Sequence, residues 1–377
     1  MSERYEYGYN GPLGIIALKS CYEMGQKVNE ILLRKHRENP EFAHNGSLPG
    51  SYLVPVDEIR FTNGEGKVKL EDSVRGKDIF VICDIGNYSC TYKLHGFVNH
   101  MGPDEHFQDL KRTLSAIGGK SRRTTVIMPL MYASRQDKRK SRESLDCAMA
   151  LQELERMGVE NIMTFDVHNS AVQNAIPLVS FENLYTTCDI VTAFYNDNKQ
   201  LFQSEGKNLL VISPDTGATD RAVYYANIMN VEMGLFYKRR NYNVINGKNP
   251  IVAHEYIGQG VAGQNVLIVD DMIGSGDSVL DVIRALSERK AKKIFVATSF
   301  ALFTEGIKGF KELYEKGCLE RVYTTNLSYI DESTKKEPWF REVDMSGFMA
   351  KLVDYLHYSR SLAPLLDATT MLKKQLP

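Results

Sequence analysis

A series of short apolar runs, separated by helix-like stretches, limits what this chain can fold into. The runs are GIIAL from Gly14, DIFVICD ending at Asp84, TTVIMPL from Thr124, NIMTFDV from Asn161, NLLVISP ending at Pro214, EMGLFYK ending at Lys238, NVLIVDD from Asn265, then KIFVATSF and RVYTTN. Helical patterns fall around Tyr22 to Arg34, Ser144 to Met157 and Gly217 to Asn230, and again after Asp271. Continuous apolar strands joined by helices indicate parallel sheets covered on both faces, an α/β class. The 377 residues exceed one ordinary core and suit two domains, with the main boundary expected between Phe181 and Thr187. Residues 87–123 read as polar and irregular, an insertion plus one helix.

Composition excludes several classes. The formal net charge of −1 argues against a broad basic surface for nucleic acid. No apolar run approaches the roughly 20 residues that a membrane span requires. The start, MSERYEYGYNGPLG, lacks the order of a secretory signal, and the 6 cysteines are scattered without a C-x-x-C pair. Reduced, buried thiols in a cytoplasmic protein are the expectation.

The stretch NVLIVDDMIGSGDSVLDVIRAL, from Asn265, carries the chemistry. An apolar strand meets two adjacent carboxylates, Asp270 and Asp271, and then a loop of small residues, Gly274, Ser275, Gly276, Asp277 and Ser278, before a helix. In open parallel sheets ligands bind beyond the carboxyl ends of strands. A helix start there offers backbone N–H groups and partial positive charge to a phosphate, and Ser275 and Ser278 add hydroxyl donors. The paired acids suit vicinal sugar hydroxyls or a hydrated Mg²⁺. The combination describes a sugar phosphate. An N-cap after an ordinary surface turn is the bland alternative for such a loop. GQGVAG from Gly258 fits a dinucleotide fingerprint in letters but precedes a strand, so it reads as a turn. GGKS at Gly118 lacks the upstream glycine of a Walker A loop.

VLIVDDMIGSGDS resembles the phosphoribosyl-diphosphate loop shared by phosphoribosyltransferases and ribose-phosphate diphosphokinases (pyrophosphokinases). Further stretches resemble the second family, in family order and over nearly the whole chain. FTNGEG from Phe61, followed by SVRGKDIFVI, resembles its ATP-site hairpin, with Phe61, Asn63 and Glu65 at the matching positions. YASRQDKRKSRE resembles its Y-A-R-Q-D segment, with Arg135 and Gln136 displaced by the extra Ser134. FDVHNSAVQ places His168 at the histidine that helps hold metal-ATP. SPDTGATDR places Asp215 at a metal partner. YKRRN supplies Lys238 and Arg240 for the catalytic Lys-x-Arg, and TTNLS matches a late T-N-T segment. Asp220 stands where the family usually has lysine, Gly274 replaces a common aspartate, and Asp277 replaces a glycine, as in a divergent member.

The resemblance implies two phosphoribosyltransferase-type domains, each a mainly parallel sheet flanked by helices: residues 1–182, and residues 183–340 with the ribose-phosphate loop. Residues 341–377 are expected to pack back on the first. It also implies transfer of a pyrophosphoryl group from ATP to ribose 5-phosphate with Mg²⁺, in homo-oligomers built from dimers, commonly hexamers. His168 and Asp215 would serve the metal. A phosphoribosyltransferase would share the loop but would not need the other segments. A non-catalytic regulatory homologue would be expected to lose His168, Lys238 or the Asp pair.

Overall fold

A computed structural model describes residues 10–39, 48–202, 208–240, 251–366 and 372, with the side chains of 238–240 and 251–254 excepted. The chain divides into two compact units. One gathers the described residues up to Tyr185 together with Leu327–Tyr329 and Asp344–Leu366, and the other holds Thr186–Asn326 and Ile330–Val343.

The first unit is built on β1 (Leu13–Ala17), α1 (Tyr22–Glu38), β2 (Val56–Arg60), β3 (Gly66–Leu70), β4 (Asp78–Ile82), β5 (Thr91–Leu94), β6 (Phe97–His100), α2 (Pro103–Ile117), β7 (Arg123–Ile127), α3 (Asp146–Arg156), β8 (Asn161–Phe165) and β9 (Ser180–Leu184). Strands β1, β4, β7, β8 and β9 pair in that order, every pair parallel. Every residue of β1 and β4 is buried, which explains their unbroken apolar runs.

Residues 87–123 are more ordered than their composition implies. They form a β5–β6 hairpin and then α2. The hairpin turn is His95-Gly96, with φ of 51° and 79°. Two successive positive φ angles define the tight turn whose twist matches paired strands. The hairpin stands outside the main sheet, and its two four-residue strands, TYKL and FVNH, are too short for alternation to register as a pattern. Pro103 opens α2, the Gly102 amide donates to Glu105 at 2.9 Å, and Gly118 closes the helix at φ 58°.

The second unit holds α4 (Thr187–Asp197), β10 (Leu209–Ser213), α5 (Thr219–Met229), β11 (Glu232–Arg240), β12 (Ile251–Ile257), β13 (Asn265–Ile273), α6 (Asp277–Glu288), β14 (Lys293–Ala301), α7 (Lys308–Glu315), β15 (Arg321–Thr325), α8 (Glu332–Lys335) and β16 (Phe340–Val343). Its sheet runs β12-β11-β10-β13-β14-β15-β16, parallel except for β11 with β12. Helix α6 buries Val279, Leu280, Val282, Ile283 and Leu286, a stripe at helical spacing. Trp339 and Phe310, both fully buried, stack at 5.7 Å beneath it.

Helix α9 (Ser346–His357) belongs to the first unit. It buries Met349, Ala350, Leu352 and Val353, and Phe348 meets Phe165 edge to face at 5.6 Å. Its buried Asp354 takes Lys35 at 2.6 Å and His36 at 3.0 Å from α1. His357 reaches Asp78 at 2.8 Å, and Arg123 grips the same carboxylate through two nitrogens while donating to the Leu356 carbonyl.

Candidate active site

In the second unit the acids gather where parallel strands end. Asp215 follows β10 by two residues, and its carboxylate accepts the Gly217 amide at 2.9 Å. Asp270 and Asp271 lie on the adjacent β13. They do not sit beyond the strand. Met272 and Ile273 still pair with Phe300 and Ala301 of the equally long β14, so the acids lie within its last turns of pleat. Each carboxylate accepts the amide of the next residue, Asp270 from Asp271 at 2.9 Å and Asp271 from Met272 at 2.7 Å. These bonds fix both side chains before any ligand arrives.

Asp271 is buried, while Asp270 keeps partial solvent access. Burial, followed by the neighbouring Asp271, pushes the Asp270 carboxyl up to about 8. Arg221 opposes the rise, and Asp215 adds to it. Arg221, on the first turn of α5, was not singled out in the sequence, although it follows Asp220 in the SPDTGATDR stretch. Three carboxylates against one guanidinium form a hard, oxygen-rich set suited to a cation or to hydroxyl donors. Among the described residues no preformed metal cage of three or more His, Cys, Asp or Glu side chains occurs. Mg²⁺ commonly completes its shell with water and substrate phosphate instead.

The small-residue loop is held open by its backbone. Leu302 donates to the Ile273 carbonyl at 2.8 Å and Thr304 to the Gly274 carbonyl at 3.0 Å. Gly276 has φ 95°, and a Cβ there would come within 2.7 Å of the Phe310 ring. Only glycine satisfies both conditions. The Ser275 hydroxyl donates to the Asp277 carboxylate at 3.1 Å. Asp277 and Ser278, both exposed, begin the twelve-residue α6, whose first amides lack intrahelical acceptors.

Lys238 and Arg240 occupy the last residues of β11, whose backbone pairs with β12, Lys238 opposite His254 and Arg240 opposite Ile251. Their side chains, and the stretch NYNVINGKNP that follows, lie outside the described residues.

In the first unit Phe61, Asn63 and Glu65 share the turn between β2 and β3. Phe61 is 48% exposed, which suits its ring to stacking. Its amide donates to the Glu65 carbonyl at 2.8 Å, and the Asn63 side-chain oxygen accepts the Glu65 amide at 3.2 Å. Arg135 and Gln136 lie in the turn after β7, where Ala133 takes φ 55°. Ser134 is buried in that turn, so the extra residue is absorbed inside it. Arg135 is exposed, whereas the Gln136 amide donates to the Ser144 carbonyl at 2.8 Å and closes its loop. His168 is exposed in the turn after β8, two residues past Asp166 at φ 42°. Asn169 donates to Asp137, tying these two loops together.

Sequence reading passed over Asp84, which is buried and accepts from the Gly86 amide, the Ser328 hydroxyl and the Tyr329 amide at 2.8 to 2.9 Å. Burial pushes it up to about 6, against those three donors. Two of these partners, Ser328 and Tyr329, lie 244 and 245 residues away, a distance no local pattern reveals.

Residues 188–334 match the phosphoribosyl transferase domain, which defines the class of protein. Residues 13–158 match the N-terminal domain of ribose phosphate pyrophosphokinase. Relatives include a ribose-phosphate pyrophosphokinase of Corynebacterium efficiens, 26% identical over 340 residues that cover 89% of this chain and 96% of that protein. Ribose-phosphate pyrophosphokinase 3 of Saccharomyces cerevisiae is 28% identical, with 82% of this chain and 86% of that one covered. Among solved structures, phosphoribosylpyrophosphate synthetase from Mycobacterium smegmatis shares the fold, with a TM-score of 0.73 at 19% identity, over 92% of this chain and 99% of that one. The chain belongs to the ribose-phosphate pyrophosphokinase family.

Proposed function

We propose that the chain is a ribose-phosphate diphosphokinase, converting ATP and ribose 5-phosphate to 5-phosphoribosyl 1-diphosphate and AMP. The observation that carries the reading is the co-occurrence, on one chain, of the pyrophosphokinase-type first unit with the Asp270-Asp271 strand and its glycine-pinned loop. The anomeric oxygen attacks the β-phosphorus of ATP, the bond to the α-phosphoryl bridging oxygen breaks with AMP as leaving group, and the hydroxyl proton passes to solvent. Such transfer depends on positioning and charge. Asp270 and Asp271 accept the ribose hydroxyls, and Ser275, Gly276, Asp277 and Ser278 at the α6 start receive the 5-phosphate. Phe61 stacks on adenine while Asn63 and Glu65 read its edge. Arg135, Gln136 and His168 serve the polyphosphate. Mg²⁺ would offset the charge of the polyphosphate, and the family motifs assign it His168 in the first unit and Asp215 in the second. Lys238 and Arg240 stabilise the charge that develops during transfer. The assignments rest on the family motifs and on the loop geometry described for each unit. A homo-oligomer of dimers in the cytoplasm accompanies this reading; among the described residues no helix is long and apolar enough to cross a membrane.

The test is AMP formation from ATP that depends on ribose 5-phosphate, with Lys238→Ala measured beside the wild type. Turnover of the variant should fall at least ~10²-fold, as when a well-aimed transition-state cation is removed. AMP formation indifferent to ribose 5-phosphate would overturn the activity, and near-normal turnover in the variant would overturn the role of Lys238.

A further inference from the structure

We propose that the β5–β6 hairpin is a positioning arm for the turn that carries Phe61, acting through Leu94 and Tyr92; this rests on the reading of that turn as the adenine site. Tyr92 and Leu94 are two apart on β5 and therefore share one face. Leu94 lies against the turn itself: a Cβ on Gly64 would sit 3.2 Å from its Cδ2. The Tyr92 ring lies under the guanidinium of Arg60, 5.5 Å from its centroid. Arg60 immediately precedes Phe61, and it also reaches the Asp109 carboxylate on α2 and the Met101 sulfur. Asp109 also takes Arg112 at 2.6 Å. The adenine turn is thus held from its base by Arg60 and along its flank by Leu94.

An isolated two-stranded hairpin is marginal in water, so this one needs anchors. At its root the Met101 amide donates to the Cys90 carbonyl at 2.8 Å, His100 meets the Tyr88 carbonyl at 2.6 Å, and Tyr88 packs edge to face on Tyr329 at 5.3 Å. These bonds make it stiff enough to transmit position. The expected effect is on nucleotide recognition alone, because an exposed aromatic on a two-strand turn stacks productively only if the turn is held still.

The experiment compares Leu94→Ala, Tyr92→Leu, Tyr92→Phe, Phe61→Ala and the Phe61→Ala/Leu94→Ala double variant in the full chain. Leu94→Ala and Tyr92→Leu should raise the KM for ATP roughly three- to tenfold, a fraction of what a 1 Å misplacement can cost. The KM for ribose 5-phosphate and the Tm should stay unchanged. Tyr92→Phe keeps the ring face and should behave as wild type, and the double variant should be no worse than Phe61→Ala. If Phe61→Ala raises the KM for ATP while Leu94→Ala and Tyr92→Leu do not, the arm has no such role although the adenine site stands. If Phe61→Ala leaves that KM unchanged, the adenine site itself is misassigned and the arm falls with it. A joint rise in both KM values with a lowered Tm marks ordinary structural damage and overturns the proposal.

Discussion

Asp270 is the residue with the most to gain from a ligand. Its carboxyl is pushed up to about 8, chiefly by burial and then by Asp271, from an ordinary value of 3.8. The folded chain therefore keeps a proton that the unfolded chain releases, and this group's contribution to stability falls as pH rises from about 4 to about 8. Asp270→Asn lacks that decline. The Tm of the variant minus that of the wild type should grow between pH 5 and pH 9, and a constant difference would contradict the assignment. Asp271→Asn keeps shape but weakens bonds worth about 1.5–3 kcal/mol when charged, so ribose 5-phosphate affinity should drop roughly tenfold, with ATP affinity unmoved; unaltered sugar-phosphate kinetics would sink it. At this scale the sequence was informative where chemistry is local. The acid pair and the exposed Phe61 announce themselves by contrast with their surroundings. Arg221 and Asp84 do not, because their meaning lies in partners supplied by other elements.

Among the elements, the turn between β13 and α6 depends on one backbone conformation. Gly276→Ala would meet both the positive φ and the Phe310 ring. The strain should cost about 1–3 kcal/mol, a Tm lower by roughly 2–10 °C, with a raised KM for ribose 5-phosphate. A fully stable Gly276→Ala with normal kinetics would show that the loop relaxes freely. The buried parallel strands were legible because both their faces are covered, and so their apolar runs are continuous. The β5–β6 hairpin was not, since a short strand outside the main sheet has no reason to alternate cleanly. The end of β13 was read two residues early, because carboxylates suggest exposure and yet here they accept backbone amides inside the strand.

For the whole molecule, the return of α9 to the first unit is the feature that composition cannot convey. Ending the chain at Val343 would remove His357 from Asp78 and Asp354 from His36 and Lys35, and would uncover the apolar residues packed beneath α9. The lost apolar burial adds to these lost polar contacts, at about 1.5–3 kcal/mol for each large apolar side chain that returns to water. The truncated protein should be recovered mostly in aggregates, with no cooperative unfolding of the first unit; a soluble product with an undiminished Tm would refute this. Lys35 and Asp354 are 319 positions apart, and Asp78 and His357 are 279. Synthesis runs in one direction, at about 5–20 residues per second, so Tyr185 emerges some ~10–40 s before the C-terminal segment does. Throughout that interval Asp78, Arg123 and the inner stripe of α1 have been made but lack their last partners. The nascent first unit must wait, half finished, on the ribosome while the second is being translated, until α9 follows it. A ribosomal stall within the codons of the second unit therefore becomes a folding hazard for the first.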